Sequence, residues 1–244
     1  MSPLAFEHLT VSSSDSVVYT ITMRKPPENR ITVTFAQALI SALRFIEREI
    51  GPGKPGCVIL QGSDTKFWCT GVDMEESRQN PFASTDGFYP LVATLLDYPL
   101  PTIALLTGHT FGGAGPLSLS CDYRVMNSER GFWCMPPVNL GLHFDGIGAL
   151  ARLKLRPQVA RRVLLEAYRF TGVEALEAGI VDEIAPPDEM HAAAIRLAQI
   201  HAPRAAMGVY SLLRNELWGD ALERFRRVSY VHGKRPHAPP KAKI

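Results

Sequence analysis

Residues Gly108 to Asp122, GHTFGGAGPLSLSCD, place three glycines within four positions, Gly112, Gly113 and Gly115, and follow them with Pro116. Glycine inside a helix costs about 0.5–1 kcal/mol relative to alanine, so helix formation alone does not account for the run. Two readings fit the residues. The run is either a tight turn leading out of TIALLT, or a place where backbone approaches a ligand and leaves N–H groups bare. A second stretch, CVILQGSDTKFWCTGVDM, has the same layout of apolar run, glycine-containing loop and helix start. At a helix start the first four N–H donors lack partners and the helix dipole is positive. One such end can hold an anion, and two facing each other could grip a single developing oxyanion. Neither stretch fits the phosphate loop G-x-x-x-x-G-K-[ST], and GHTFGGAG lacks the dinucleotide-binding order and its later acidic partner.

The elements that must position these loops follow from the patterning. FEHLTVSSSDSVVYTITM alternates and reads as two strands joined by a turn, and RKPPENR is a loop. TVTFAQALISALRFIEREI has apolar residues at helical spacing and stops at GPGKPG. CVILQG and TIALLT are buried strands, DGFYPLVATLLDY is a helix between them, and CDYRVMN and GFWCMP are further strands. From Asp145 onward DGIGALARLKL, PQVARRVLLEA, GVEALEAGI, PDEMHAAAIRLAQIHA and PRAAMGVYSLLRNELWGDALERFRR all read as helix. Strands alternating with helices imply an α/β fold of βαβ units around a mainly parallel sheet, with helices gathered at the end and the site where strand ends meet helix starts.

Bulk properties narrow the function classes. The chain has 244 residues, 46% of them hydrophobic and 20% charged, which is enough to bury a sizeable core. A formal charge of +2 does not suggest nucleic acid, and the basic runs RLKLRPQVARR and ERFRR read as solvated faces. No apolar run reaches the roughly 18 residues needed to span a bilayer, and no basic-then-apolar signal pattern opens the chain. Cys57, Cys69, Cys121 and Cys134 show no C-x-x-C pairing and sit mostly in apolar surroundings, so they are expected as reduced, buried thiols with no metal. The last three residues, Ala-Lys-Ile, share the chemistry of the peroxisomal address Ser-Lys-Leu without its letters; the expected location is the peroxisome, or failing that the cytoplasm.

The motifs KFWCTGVD, GHTFGGAGPLSLSCDYRV, FWCMPPVNLGL and FTGVEALEAGIVDEI, in this order and spacing, resemble the crotonase (enoyl-CoA hydratase/isomerase) superfamily along nearly the whole chain, with wording nearest to Δ3,Δ2-enoyl-CoA isomerases. The resemblance implies a ClpP/crotonase spiral of ββα repeats over residues 1–185, a helical trimerisation region over 186–236 and a tail over 237–244. It implies an acyl-CoA thioester as ligand, with no separate cofactor because coenzyme A is part of the substrate, and a homotrimer or hexamer. It assigns the thioester oxygen to the amides of Val72 and Gly113, so that side chains at 112 and 113 would block the approach. It places Lys66, Trp68, Thr70, Gly71 and Asp73 beside the substrate on one loop, and Phe111, Gly112, Leu142 and Phe144 on the others.

The chain departs from the family at two positions. Hydratases of the superfamily use two glutamates, and here Pro116 and Pro137 stand in their places. A proline side chain neither donates nor accepts a proton, so a two-glutamate hydratase is not expected. Asp145, in VNLGLHFDG, falls where some isomerases of the superfamily carry their acidic base; it also reads as the N-cap of the following helix. One carboxylate suffices for an allylic shift: it removes a proton from C2 of a 3-enoyl thioester and returns it at C4. An inactive acyl-CoA binder and another crotonase reaction are the alternatives. His109 and His143 flank the key segments, Arg24, Lys25 and Lys66 are candidates for the CoA phosphates, Asp73 is expected to cap its helix, and Asp122 with Arg124 reads as a buried pair.

Overall fold

The computed structural model describes residues 4–13 and 15–230. It opens with an antiparallel meander of β1 (Leu4–Phe6), β2 (Leu9–Ser13) and β3 (Val18–Met23), one strand more than the patterning suggests. The extra hairpin turns on Glu7 and His8, with His8 at φ +61°, and no glycine or asparagine marks it in the sequence. Thr32 caps α1 (Val33–Ile50) by accepting from the Phe35 N–H, and Gly51 at φ +74° ends it.

Three successive strand–strand–helix units follow. β4 (Cys57–Gly62) leads to β5 (Phe67–Cys69) and α2 (Met74–Gln79), then α3 (Tyr89–Leu96). β6 (Thr102–Leu106) leads to β7 (His109–Phe111) and α4 (Ala114–Ser120). β8 (Tyr123–Asn127) leads to β9 (Trp133–Cys134), then α5 (Gly148–Lys154), α6 (Pro157–Leu165) and α7 (Gly172–Glu177). In each unit the first strand joins a seven-stranded sheet ordered β1-β2-β3-β4-β6-β8-β10, and the second joins a small sheet ordered β5-β7-β9. β10 (Glu183–Ala185) closes the large sheet beside β8.

The large sheet is covered on both faces, which is why CVILQG and TIALLT are apolar without alternation. Cys57, Ile59, Ile103, Leu105 and Val125 face α8 (Met190–His201); Val58, Leu60, Ala104 and Leu106 face the larger core around α1 and α3. α8, which follows the expected division at 185, packs on the large sheet against β4, β6 and β8. The long C-terminal helical pattern breaks in two. A 3-10 turn, Ala202–Met207, ends at Gly208 with φ +71°, and α9 (Tyr210–Tyr230) begins beyond it. The far half of α9 buries Ala221, Leu222, Phe225 and Val228, packing on α3; its near half exposes Leu212, Leu213 and Leu217. No helix is long and apolar enough to cross a membrane among the described residues. The expected tail, 237–244, lies outside them.

Candidate functional site

The first site loop runs from β5 to α2. Gly71 sits at φ +87°, a conformation that side chains disfavour. Ile31 forms a parallel bridge with Val72, its N–H donating to Gly71 O (2.8 Å) and its carbonyl accepting from Asp73 N (2.9 Å). In that pattern the middle residue's own N–H faces away from the bridge. Two first-turn amides of α2, by contrast, are closed off: Asp73 Oδ1 accepts from Glu75 N (3.0 Å) and Glu76 N (2.9 Å). Val72 is thus a bare donor on this loop, released by strand pairing and not by a helix start. Asp73 is occupied as a cap.

The second loop runs from β7 to α4, and its three glycines answer to three constraints. Gly112 has room for a side chain but sits at φ +59°. Gly113 heads α4, and a Cβ there would stand 3.1 Å from Val72 Cγ2, 3.2 Å from Phe88 Cε2 and 3.3 Å from Val72 N. Gly115 is a packing glycine, since a Cβ would fall 2.7 Å from Met135 Cγ. So a side chain at 112 is disfavoured by backbone conformation, and one at 113 would crowd Val72 and Phe88. Pro116 is tolerated in the first turn, where its missing N–H has no intrahelical role. Among the described residues, neither the Val72 nor the Gly113 N–H has a hydrogen-bond acceptor, and both residues line one cavity of about 100 Å³.

The remaining walls of that cavity are almost wholly apolar. Phe88 and Met74 close one side, Pro137, Leu142, Phe144 and Ile147 the other, with Phe111 and Thr70 also lining it. Thr70 Oγ1 donates to Glu28 Oε2 (3.0 Å). Phe88 is delivered by a single π-helical turn, Ser84–Phe88, where the helix reading of DGFYPLVATLLDY expects an ordinary α-turn. No titratable side chain lines the cavity among the described residues.

Asp145 lies between Phe144 and Ile147 on the segment that closes the cavity, 43% exposed, and pairs with Arg224 of α9 at 3.7 Å. It does not cap α5: Ile147 holds the N-cap position and no side chain caps it. His143 is exposed. His109 is packed among rings, 5.1 Å from Phe111 and 5.6 Å from Phe132, and its Nδ1 accepts from Phe132 N (3.2 Å). Burial, reinforced by Arg130, Lys66 and Arg169, pushes its pKa down.

Several sequence expectations change. Trp68 is not a substrate contact: it sits where the β5–β7 register shifts, fully buried, with Nε1 donating to Leu60 O (3.3 Å). Asp122 and Arg124 are both buried, as expected, but do not pair with each other. Asp122 Oδ2 accepts from Arg214 Nη2 at 2.5 Å, whereas Arg124 Nη2 reaches Asp182 Oδ2 at 3.1 Å. Lys25 Nζ donates to Arg30 O (2.9 Å), while Arg24 and Lys66 are exposed. All four cysteines are free and buried. Burial pushes the Cys69 thiol up to about 12, and its Sγ donates to Asn29 O (3.1 Å), so it is no nucleophile.

A residue missed in the sequence is Asn29, in the loop RKPPENR. It is buried at φ +51°, and its Nδ2 donates to Trp68 O (2.9 Å), fixing the strand that leads into the site. Asparagine's tolerance of the left-handed region was the available signal.

Strand–strand–helix units thus repeat around an apolar pocket that Val72 and Gly113, whose amides lack acceptors among the described residues, help to line. Residues 13–225 match the family model described as Enoyl-CoA hydratase/isomerase, and the chain belongs to that family, the crotonase superfamily, close to its enoyl-CoA isomerases. It is 32% identical over 196 residues to the peroxisomal enoyl-CoA delta isomerase 2 of Arabidopsis thaliana, covering 75% of this chain and 82% of that protein. It is 27% identical over 196 residues to a carnitinyl-CoA dehydratase of Salmonella arizonae, covering 79% and 74%. In fold it is similar to an enoyl-CoA isomerase of Mycobacterium tuberculosis, with a TM-score of 0.83 at 23% identity over 94% of this chain and 99% of the other.

Proposed function

We propose that the protein is a Δ3,Δ2-enoyl-CoA isomerase in which the amides of Val72 and Gly113 hold the thioester oxygen and Asp145 carries the proton. The observation that carries the reading is the pair of unpartnered N–H groups facing one apolar cavity. Asp145 takes a proton from C2 of a 3-enoyl thioester, negative charge develops on the carbonyl oxygen between the two amides, and the same carboxyl delivers the proton to C4. Amide donors preorganised for a developing oxyanion are worth about 10²–10³ in rate each. Asp145 is the single carboxylate between Pro136 and Leu150, the stretch containing the cavity wall residues Leu142, Phe144 and Ile147. Pro137 on the same wall speaks against a two-glutamate hydratase.

The likeness to the Arabidopsis isomerase supports the reaction, and that relative's peroxisomal designation supports a peroxisomal location. Assembly into a trimer or a pair of trimers through the exposed apolar face of α9 belongs to the same reading.

Purified protein incubated with 3-enoyl- and 2-enoyl-CoA, with both products followed, tests the reaction. Asp145→Asn keeps the side chain's shape and removes its basicity, so turnover should fall by at least about 10²-fold while acyl-CoA affinity changes little. Normal turnover in that variant would exclude Asp145 as the base. One observation favours a second reading: the carboxylate is half-exposed, ion-paired and outside the cavity lining. Acyl-CoA binding without any isomerase or hydratase turnover in the wild type would identify an inactive binder.

A further inference from the structure

Resting on the acyl-CoA reading, we propose that Phe88 is a specificity-determining wall that restricts this site to short acyl groups, about four to six carbons long. The first observation is size. The cavity measures about 100 Å³, whereas pockets that enclose drug-sized ligands run about 300–1,000 Å³. At roughly 30 Å³ for a water-sized group, the whole cavity, the part beside the two amides included, takes about three to four such groups.

The second observation is where the wall stands and what holds it. Phe88 Cε2 would be 3.2 Å from a Cβ on Gly113, so the ring lies directly against the floor that receives the thioester. The ring cannot withdraw into free space, because it is 1% exposed and packs edge-on to Tyr89 with centroids 5.6 Å apart. Tyr89 in turn lies 6.0 Å from Phe225, which is fully buried on α9. Three aromatic rings from the π-turn, α3 and α9 therefore form one backed partition. Well-packed interiors transmit such a constraint instead of yielding to it. The π-turn supplies the aim: with one extra residue in the turn, Phe88 heads α3 from within the cavity lining.

Calorimetric titration with butyryl-, hexanoyl-, octanoyl- and dodecanoyl-CoA, which carry no double bond and cannot isomerise, reads the wall independently of catalysis. Each methylene that enters an apolar site raises affinity about fourfold. Affinity in the wild type should rise to hexanoyl-CoA and then fall, with dodecanoyl-CoA bound at least tenfold more weakly than hexanoyl-CoA. In Phe88→Ala the ratio of dodecanoyl to hexanoyl affinity should rise at least tenfold; Phe88→Leu, a milder change that keeps more of the packing, should shift it in the same direction. Equal or tighter binding of dodecanoyl-CoA by the wild type overturns the proposal, as does an unchanged ratio in a folded variant at position 88. Failure of every acyl-CoA to bind overturns the acyl-CoA reading and the proposal with it. Length-selective binding without turnover supports the wall and removes only the isomerase.

Discussion

A Cβ on Gly71 would stand 2.4 Å from the amide nitrogen of Gly113. The two site loops therefore meet backbone to backbone, and Gly71 is required by the other loop as well as by its own conformation at φ +87°. Placing a side chain at either position pushes apart the two N–H groups that the proposed mechanism needs together.

Gly113→Val is the more informative change, because Gly113 has an ordinary φ of −61° and its added atoms collide only with Val72 and Phe88. Turnover should fall at least about 10²-fold, the scale of losing one oxyanion donor, while the far-ultraviolet circular dichroism spectrum stays native. A folded Gly113→Val protein with full turnover would remove these amides from the mechanism.

Arg214 joins α9 to the sheet from the inside. With side chains only 2% and 4% exposed, Arg214 and Asp122 pair at 2.5 Å, and Asp122 also accepts from Thr102 N (2.8 Å) and Oγ1 (3.0 Å). Arg214 further donates to the carbonyls of Tyr98 and Leu100. Arg214→Met strands a buried carboxylate, so urea denaturation should register a loss of about 3–5 kcal/mol. Arg214→Met combined with Asp122→Asn should lose less than the two single changes added together. A single-variant loss below about 1 kcal/mol would contradict this account.

Two histidines make the fold sensitive to mild acid. Burial pushes the pKa of His109 down, and burial followed by the nearby Arg204 does the same to His201, whose ring stacks on Tyr123 at 3.9 Å. A histidine depressed in the folded state binds fewer protons there than in the unfolded chain, where it titrates near 6.5. Stability is then level above about pH 6.5 and declines as pH falls below it, because unfolding takes up protons. Thermal melts from pH 7.5 to 5.5 should show a falling Tm, and the His109→Phe, His201→Phe double variant should show a flatter profile. A wild-type Tm independent of pH over that range would refute the assignment.

The near half of α9 is apolar where a helix end in water is ordinarily polar: Leu212, Leu213 and Leu217 are 65%, 63% and 64% exposed. Light scattering at micromolar concentration should return three or six times the chain mass. The Leu213→Asp, Leu217→Asp double variant should return the chain mass with native circular dichroism. Monomeric wild-type protein would disprove assembly through this face.

Local spacing carried most of the architecture. The doubly buried strands CVILQG and TIALLT, the two strand–glycine–helix layouts and the burial of all four cysteines are properties of short segments, where periodicity and the conformational freedom of glycine act over a few residues. What the sequence could not disclose depends on partners distant along the chain. Arg124 is two residues from Asp122, yet Asp122 takes Arg214, 92 residues away, because α9 packs back against α3 and offers a buried guanidinium. Trp68, set beside the substrate by the family resemblance, is buried in the core with its indole donating to Leu60 O of β4. The free amide of Val72 comes from its bridge to Ile31, which only the folded chain brings alongside. Phe88 enters the cavity through a π-turn that no spacing rule announces, since the turn is held by packing against α1 and α3. Segments a few residues long set which backbone shapes were possible; the closure of distant segments on one another decided which amides stayed bare and which rings faced the pocket.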